Sequence, residues 1–258
     1  MRVSDHIVSK RRRDLAILIR QNRYMPISEI CKHFAISEAT ARRDLRALEE
    51  GSEILRTFGG ALGDFNEDFE TFSERKEQSS TAKQWIAKKA VQQIHPGMVC
   101  FLDAGSTLYA IAEELSKSGK KDIKVMTNNL AVAELLSPVK GIYVSLTGGK
   151  LASKQAVLLG EVAERTLAQC TFDLSFMSAK SANESGIWNN QEDVVLLQKL
   201  LIDRSAKPIF CLDKSKIGRD DNRFVANWHK IYAFLTDAPK TLLLENNIKL
   251  QPSKHWMV

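Results

Sequence analysis

A short segment of the chain places three arginines within five positions, in the sequence SEATARRDLRALEE at residues 37–50. At about 100° of rotation per residue, this segment forms an amphipathic helix whose apolar side carries Ala41, Leu45 and Leu48. The other side, its flanks and the preceding serine supply the candidate DNA contacts: Ser37, Ala39, Thr40, Arg42, Arg43 and Arg46. In a major groove, arginine can contact guanine edges or phosphates, and the methyl groups of alanine or threonine can contact thymine.

Small and polar residues gather at four other places, each directly after an apolar run that is typical of a buried strand. The carboxyl ends of parallel strands form the ligand-binding edge of an open α/β sheet, where backbone N–H groups and helix N-termini are presented. Gly105 allows close approach to the backbone, Lys216 adds a positive charge, and aspartates accept hydrogen bonds from sugar hydroxyl groups. The candidate ligand contacts are Asp103, Gly105, Ser106, Thr107, Thr127, Asn128, Asn129, Gly148, Gly149, Asp213, Ser215 and Lys216.

Both patterns also have a plainer explanation. The basic helix can be solvated, with its arginines paired to Asp44, Glu49 and Glu50. A strand-end Asp-x-Gly segment is usually an ordinary turn and helix cap, and a lone Gly-Gly is mostly a turn. The helix-turn-helix spacing in the first case, and the coincidence of several polar segments on one edge in the second, favour functional sites.

The elements that position the basic helix lie directly before it. Residues 10–20 carry leucine and isoleucine at helical spacing, and residues 27–34 form a second amphipathic helix that opens beside a proline. A tight turn at Ala35-Ile36 then leads to Ser37, whose hydroxyl group can cap the third helix. The sequence therefore predicts three helices, with a short turn between the second and the third.

Two further features of the first sixty residues favour a polyanionic partner. Residues 53–61, EILRTFGGA, alternate apolar and polar side chains before a double glycine, which predicts a two-stranded wing. Arg56 in this wing is a further candidate DNA contact, suited to a phosphate. The net charge is +6, and basic residues cluster in the first fifth of the chain: Arg11, Arg12, Arg13, Arg42, Arg43 and Arg46.

From Thr81 onward, apolar runs alternate with helical stretches, which predicts a parallel sheet covered on both faces. The predicted strands are residues 98–102, 124–126, 142–146, 174–177, 208–212 and 231–235. The first helix of this region is predicted to turn inward Trp85, Ile86, Ala90 and Ile94. The fold class predicted for the region is a doubly wound, Rossmann-like α/β domain.

Motifs in both regions resemble those of DeoR-type transcriptional repressors. The segment at 37–50 and the following LRTFGGA resemble the recognition helix and wing of that family. DAGST at 103–107, TNN at 127–129 and DKSK at 213–216 resemble its Asp-Ser-Gly-Thr-Thr, Thr-Asn-Ser and Asp-x-Ser-Lys motifs. The resemblance implies a winged helix-turn-helix that binds operator DNA, followed by a sugar-phosphate sensor domain similar in fold to ribose-5-phosphate isomerase.

The resemblance covers nearly the whole chain. It implies three segments: a DNA-binding domain at 1–62, a linker at 63–80, and a sensor and oligomerisation domain at 81–258. The first domain departs from the family pattern at three places, where Ala41 replaces isoleucine, Phe58 replaces the wing histidine, and Gly51-Ser52 replaces Gln-Gly. These departures concern the DNA contact of the wing more than the fold.

The sensor region also departs from the family pattern. Ser178 stands where glycine is usual, and Gln198 stands where a lysine is usual. The loss of one positive charge implies either a less acidic ligand or a phosphate held mainly by Lys216 and the backbone. Trp188 offers either a stacking surface for a sugar ring or a packing surface at the rim of the site.

Composition and spacing argue against several other classes of protein. With 44% apolar and 26% charged residues, the chain is typical of a globular protein. It contains no apolar run of the roughly 20 residues that a bilayer span requires and no secretion signal, so a cytoplasmic location is expected. The four cysteines and five histidines are scattered, without metal-ligand spacing, so neither a metal nor a cofactor is expected.

The expected function is a DNA-binding regulator that represses a carbohydrate catabolic operon. The expected partners are double-stranded operator DNA, a phosphorylated sugar or related metabolite as effector, and further copies of the chain in a dimer or tetramer. A sugar-phosphate isomerase-like enzyme with an appended DNA-binding head is the alternative, with Asp103, Asp213 and Lys216 in acid, base and enediolate-stabilising roles. A protein that merely coats DNA is a third class, but it would not need the polar strand-end edge.

Overall fold

The computed structural model describes residues 5–22, 24–50, 54–57, 60–63, 80–152, 156–219, 221–250 and 255–257. The chain forms two compact units, Met1–Glu70 and Thr71–Val258. Most of the segment expected to be a linker, residues 64–79, lies outside the described residues. The domain boundaries at 62/63 and 80/81 therefore stay a prediction.

Among its described residues, the first unit contains three helices and a small antiparallel sheet. Its elements are α1 (Asp5–Asn22), β1 (Tyr24–Pro26), α2 (Ile27–Phe34), α3 (Glu38–Glu50), β2 (Ile54–Thr57) and β3 (Gly60–Gly63). The three predicted helices and the two-stranded wing are confirmed. The strand β1 was not predicted, and it pairs with β3 to give the order β1-β3-β2. A three-residue strand ending in proline carries no detectable alternation of apolar residues, which is why sequence patterning missed it.

The turn before α3 forms as its residues predict. Ala35 adopts a left-handed conformation with φ of 51°, and the N–H of Ile36 donates to the carbonyl oxygen of Cys31 at 3.1 Å. The Ser37 hydroxyl group then accepts a hydrogen bond from the N–H of Thr40 at 3.3 Å, which caps the start of α3. The predicted capping role of Ser37 is therefore confirmed.

The second unit is built on a seven-stranded parallel sheet in the order β15-β14-β12-β9-β4-β5-β6. Its strands are β4 (Val99–Leu102), β5 (Ile123–Thr127), β6 (Ile142–Leu146), β9 (Phe172–Met177), β12 (Ser205–Cys211), β14 (Ala233–Thr236) and β15 (His255–Met257). Its helices are α4 (Ser80–Gln92), α5 (Ser106–Lys117), α6 (Leu130–Leu136), α7 (Glu161–Ala168), α8 (Glu192–Arg204) and α9 (Lys240–Glu245). The six predicted strands are all present.

Alternate residues of the strands enter two separate cores, one on each face of the sheet. Phe101 and Phe210 pack with residues of α7 and α8 on one face. Their neighbours Cys100, Leu102 and Ile209 pack with residues of α4, α5 and α6 on the other. Both faces are covered by helices, which explains why the strands are nearly continuous apolar runs. The predicted doubly wound α/β fold is confirmed.

The order of the strands reverses beside β4. The chain adds β5 and β6 on one side, then crosses back so that β9 pairs with the other side of β4. In such sheets the connections that follow the two strands at the reversal run to opposite faces of the sheet and leave a crevice that binds ligands. Asp103 follows β4 at this point, and its N–H donates to the carbonyl oxygen of Phe176 in β9 at 3.0 Å.

Two small antiparallel sheets, which sequence patterning did not predict, interrupt the α/β alternation. One pairs β7 (Lys150–Ala152) with β8 (Val157–Leu159). The other pairs β10 (Ser181–Asn183), β11 (Gly186–Asn189) and β13 (Arg223–Ala226). The indole N–H of Trp188 in β11 donates to Asn183 Oδ1 at 2.8 Å, and its ring packs edge-on against Phe224. These contacts give Trp188 a packing role within the sheet.

The sequence prediction is wrong for one residue of α4, which is exposed and not buried. Trp85 was expected to face inward, but it is 56% exposed. The buried stripe of the helix instead contains Lys83, Ile86, Ala87 and Ala90. At helical spacing Trp85 falls outside this stripe, and Lys83 completes the stripe because its long apolar stem can be buried.

Candidate functional site

Helix α3 presents its small and basic residues to solvent. Ala41, Leu45 and Leu48 are buried in the core of the first unit, as predicted. On the other side, Ala39, Arg43 and Arg46 are exposed. These three positions are spaced at i, i+4 and i+7, so they lie on one face of the helix.

The flanks of this face are held by local hydrogen bonds. Arg42 Nε donates to Glu38 Oε1 at 2.9 Å, an exposed pair one helical turn apart. The hydroxyl groups of Thr40 and Ser37 lie 2.9 Å apart, so they form a hydrogen bond with each other in the protein without DNA. An exposed ion pair contributes little to stability and can exchange for a phosphate contact.

The acidic residue Asp44 has a role that sequence patterning missed. It is buried, and its two carboxylate oxygens accept hydrogen bonds from Arg11 Nε at 2.8 Å and Arg12 Nε at 2.9 Å. Arg11 and Arg12, two residues of the basic cluster near the start of the chain, therefore link α1 to α3 within the first unit. The alternative in which Asp44 pairs with the arginines of its own helix is wrong. Its position in the sequence could have indicated this burial, because Asp44 follows Ala41 by three residues and so lies on the buried side of the helix.

The wing is present as a backbone feature. Arg56 lies on β2 opposite Ala61 of β3. The side chain of Arg56, together with Gly51, Ser52 and Phe58, lies outside the described residues. The predicted contact of Arg56 with DNA, and the effect of the Phe58 departure, therefore stay predictions.

At the sheet reversal, the predicted ligand contacts Asp103 and Asn128 come together. Both side chains are buried, and Asn128 Nδ2 donates to Asp103 Oδ1 at 3.1 Å. The same oxygen accepts from the N–H of Ala104 at 2.7 Å. The other amide atom, Asn128 Oδ1, is buried without a hydrogen-bond partner among the described residues. A buried acceptor of this kind is costly unless it is met by a donor from water or a ligand.

Thr127 and Asn129 are mainly structural. Thr127 Oγ1 donates to the carbonyl oxygen of Leu102 at 2.6 Å and accepts from the N–H of Asn129 at 3.0 Å. Asn129 Oδ1 caps α6 by accepting from the N–H groups of Ala131 and Val132. Asn129 Nδ2 is buried without a partner among the described residues, so it can donate to a ligand.

The segment after Asp103 turns sharply into α5. Gly105 has a φ of 129°, a conformation that favours glycine, and no side chain caps the helix. Ser106 and Thr107 are buried in the first turn. The first N–H groups of a helix require acceptors from outside it, so this turn suits an oxyanion.

The predicted pair Gly148 and Gly149 forms the turn between β6 and β7. Their φ angles are 71° and 119°. A Cβ atom on Gly149 would lie 2.6 Å from the carbonyl oxygen of Leu159 in β8. Close packing of the β7–β8 hairpin explains this glycine without a ligand, so the ligand contact of the pair stays a prediction.

The last predicted segment forms a short 3₁₀ turn, Lys214–Lys216, that follows β12. Asp213 Oδ1 accepts from the N–H of Ser215 at 3.0 Å and also from its hydroxyl group. Lys216 Nζ donates to the carbonyl oxygen of Ala179 at 3.0 Å and lies 3.5 Å from Ser178 Oγ. Lys216 therefore reaches the end of β9, which places it on the same edge as Asp103.

Gln198 completes the site from α8, which covers the face of the sheet opposite to α5. Its Nε2 atom donates to Asp103 Oδ2 at 2.8 Å and to the carbonyl oxygen of Ser178 at 2.6 Å. Its Oε1 atom accepts from Asn189 Nδ2 at 3.3 Å, and the side chain is 0% exposed. Gln198 thus spans the reversal between β4 and β9. The sequence marked Gln198 and Ser178 as departures from a family pattern, but not as residues that meet Asp103.

The surroundings of Asp103 change its protonation. Burial raises the pKa of Asp103 to about 6, while hydrogen bonds from Gln198, Ala104 and Asn128 act in the opposite direction. Burial also raises the pKa of the Cys100 and Cys211 thiols, so neither is a reactive nucleophile.

Other kinds of site find no support in the part of the chain that the structure describes. No three histidine, cysteine, aspartate or glutamate residues there are grouped closely enough to hold a metal ion. None of the helices described is long and apolar enough to cross a bilayer.

The order of a winged helix-turn-helix followed by a doubly wound α/β sheet agrees with two family models. The model of the DeoR-like helix-turn-helix domain matches residues 11–65. The model of the DeoR C terminal sensor domain matches residues 78–238. The chain belongs to the DeoR family.

Named relatives of this DeoR-family protein are regulators of transcription. It is 32% identical to the HTH-type transcriptional regulator GlpR of Haloferax volcanii, over 89% of each chain. It is 28% identical to the glycerol-3-phosphate regulon repressor of Escherichia coli strain K12, over 94% of this chain and 98% of that one. Among solved structures, ribose 5-phosphate isomerase A of Methanocaldococcus jannaschii aligns with a TM-score of 0.40 and 17% identity, over 54% of this chain and 55% of that one.

These findings decide between the expected function classes. The relatives that cover nearly the whole chain are named as regulators, and both domains match models of one regulator family. This DeoR-family protein is a DNA-binding transcriptional regulator. The isomerase-like alternative is not supported.

Proposed function

We propose that this DeoR-family protein represses a carbohydrate-related operon and that a phosphorylated sugar or related metabolite, bound at the strand-end edge, changes its affinity for operator DNA. The names of its relatives support an operon of this kind, since one represses the glycerol-3-phosphate regulon. A cytoplasmic location and a homo-oligomer, dimeric or tetrameric, belong to the same proposal. An oligomer would hold two recognition helices at the spacing of two operator half-sites.

For DNA, the proposal assigns base contacts to the exposed face of α3. Ala39 and Arg43 lie near the start of that face, where a recognition helix approaches base edges. Arg46, further along the helix, is suited to a base edge or a phosphate. The remaining proposed contacts, which position the domain on the backbone, are Ser37, Thr40, Arg42 and Arg56.

For the effector, one observation carries the proposal: two buried polar atoms on the consecutive residues that follow β5, Asn128 Oδ1 and Asn129 Nδ2, have no partner among the described residues. One is an acceptor and the other a donor, and hydroxyl groups of a sugar can satisfy both. Lys216 and the first turn of α5 would hold the phosphate. The other proposed contacts are Asp103, Gly105, Ser106, Thr107, Thr127, Gly148, Gly149, Asp213 and Ser215.

The control of DNA binding follows from linkage. If the effector binds one arrangement of the DNA-binding domains more tightly than another, it shifts the population toward that arrangement. The change in operator affinity then equals the difference in effector affinity between the DNA-bound and free forms.

The test is a thermal unfolding screen of the full chain with sugar phosphates, the matching free sugars and inorganic phosphate. A sugar phosphate that binds should raise the unfolding temperature with concentration, because it stabilises the native state by mass action. Asn128→Ala should reduce this shift, while Asn222→Ala, at an exposed position outside the site, should preserve it. Equal shifts with inorganic phosphate alone would contradict a sugar-phosphate site.

A further inference from the structure

The polar edge of the sheet has two ends of different character. At one end, Asp103 and Asn128 present acceptor atoms: a buried carboxylate and an amide oxygen that lacks a donor among the described residues. At the other end, Lys216 brings an ammonium group to the end of β9. A phosphate dianion offers only acceptors, whereas a hydroxyl group can donate. The acceptor end therefore suits a hydroxyl group and disfavours a second phosphate.

Gln198 donates a hydrogen bond to the Asp103 carboxylate without adding a positive charge to the acceptor end. In the part of the chain that the structure describes, the hydrogen-bond donors to Asp103 are the N–H of Ala104, the amide of Asn128 and the amide of Gln198, and all three are neutral. A buried carboxylate met only by neutral donors retains its full charge when ionised. At the low effective dielectric of a buried site, that charge repels a nearby anion far more strongly than it would in water.

We propose that Gln198 determines the charge of the effector, so that the site accepts a polyhydroxylated metabolite with a single phosphate and rejects one with a second phosphate directed at Asp103. This inference rests on the proposed function of the strand-end edge as the effector site. Gln198 acts as a positioning residue: its amide bridges Asp103 and the Ser178 carbonyl oxygen, which holds the carboxylate at the crevice without neutralising it.

A second contact keeps the amide of Gln198 in this orientation. Gln198 Oε1 accepts from Asn189 Nδ2, so the donating Nε2 atom is turned toward Asp103 and Ser178. A lysine at position 198 would instead bring an ammonium group to Asp103 and form an ion pair. The acceptor end would then tolerate a second anionic group.

The experiment compares dissociation constants of matched monophosphate and bisphosphate sugars, such as fructose 6-phosphate and fructose 1,6-bisphosphate, by titration calorimetry on the full chain. The pair is chosen from the sugar whose monophosphate stabilises the wild-type protein. We expect the wild type to bind the monophosphate at least about tenfold more tightly, and Gln198→Lys to lower this preference at least about tenfold. Gln169→Lys, the same substitution at an exposed position, should leave the preference unchanged.

Asp103→Asn provides an independent test, because it removes the carboxylate while keeping Gln198. It should also weaken the preference for the monophosphate, so the inference can be judged even if Gln198→Lys does not fold. If monophosphates bind and the preference is the same in the wild type and in the folded variants, Gln198 does not set effector charge and the inference is wrong. If no sugar phosphate binds the wild type, the proposed function itself fails.

Discussion

Asp103 Oδ2 and Gln198 Nε2 lie 2.8 Å apart across the point where the sheet reverses its strand order. The two residues are far apart in the sequence: Asp103 follows β4, and Gln198 lies in the middle of α8. This hydrogen bond places a buried, titratable carboxylate at the position where doubly wound folds bind their ligands. Its protonation is therefore accessible to experiment.

Asp103→Asn should change how stability depends on pH. Because the folded-state pKa of about 6 exceeds the ordinary value of 3.8, the native state binds more protons than the unfolded state between these values. The stability contributed by protonated Asp103 is fully present below about pH 4 and is lost as pH rises through about 6, a change on the order of 3 kcal/mol. Denaturant unfolding at pH 5 and pH 7.5 should show the wild type losing stability relative to Asp103→Asn. Asp203→Asn, at an exposed position, is the control, and parallel pH profiles for wild type and Asp103→Asn would contradict the assignment.

Arg43→Ala should weaken binding to a specific operator by about 1–3 kcal/mol if Arg43 contacts a base edge. Fluorescence anisotropy on selected and unrelated duplexes at one salt concentration measures both affinities. Arg13→Ala removes the same charge from an exposed position on α1 and serves as the control. A loss of equal size on every duplex would make Arg43 a phosphate contact.

Asp44→Ala should destabilise the DNA-binding domain by about 2–4 kcal/mol. The substitution leaves the guanidinium groups of Arg11 and Arg12 without the carboxylate that they share. Denaturant unfolding of the full chain, followed by hydrogen exchange to locate the change, measures the effect. Asp14→Ala, at an exposed position on α1, should cost far less. Similar losses for the two variants would show that the Asp44 bridge adds little.

Gly149→Ala should cost about 2 kcal/mol more than Gly119→Ala. Both glycines have positive φ angles, 119° and 70°, so an alanine is strained at either position. At Gly149 the new Cβ atom would lie 2.6 Å from the Leu159 carbonyl oxygen, whereas at Gly119 no atom of the described residues lies within 4 Å of it. Denaturant unfolding of the two variants measures this difference. It separates the destabilisation caused by the close contact with Leu159 from that caused by backbone strain.

The sequence predicted the main elements because each has a strong local signal. Helix α2 begins and ends as predicted, at residues 27 and 34, since its apolar spacing, the preceding proline and the turn at Ala35 agree. The missed strand β1 has three residues and depends on β3, a partner distant in the chain. Local propensity cannot show such pairings.

The candidate site was predictable only in part, for a similar reason. Asp103 and Asn128 follow adjacent parallel strands, so their meeting could be expected from the strand pattern alone. Gln198 and Asn189 reach the site from a helix and from a small antiparallel sheet, and no sequence spacing specifies that approach. Asp44 shows the same limit in the DNA-binding domain, since its partners lie on another helix.

We propose above that a metabolite bound at the strand-end edge changes the affinity of the protein for operator DNA. The most direct measurement is the affinity of the full chain for a duplex selected from a random library, with and without a saturating sugar phosphate that stabilises the protein. We expect the affinity of the wild type to change by roughly 5-fold to 150-fold, and that of Asn128→Ala to change much less. An operator affinity that stays constant while the sugar phosphate is demonstrably bound would show that the strand-end edge does not control DNA binding.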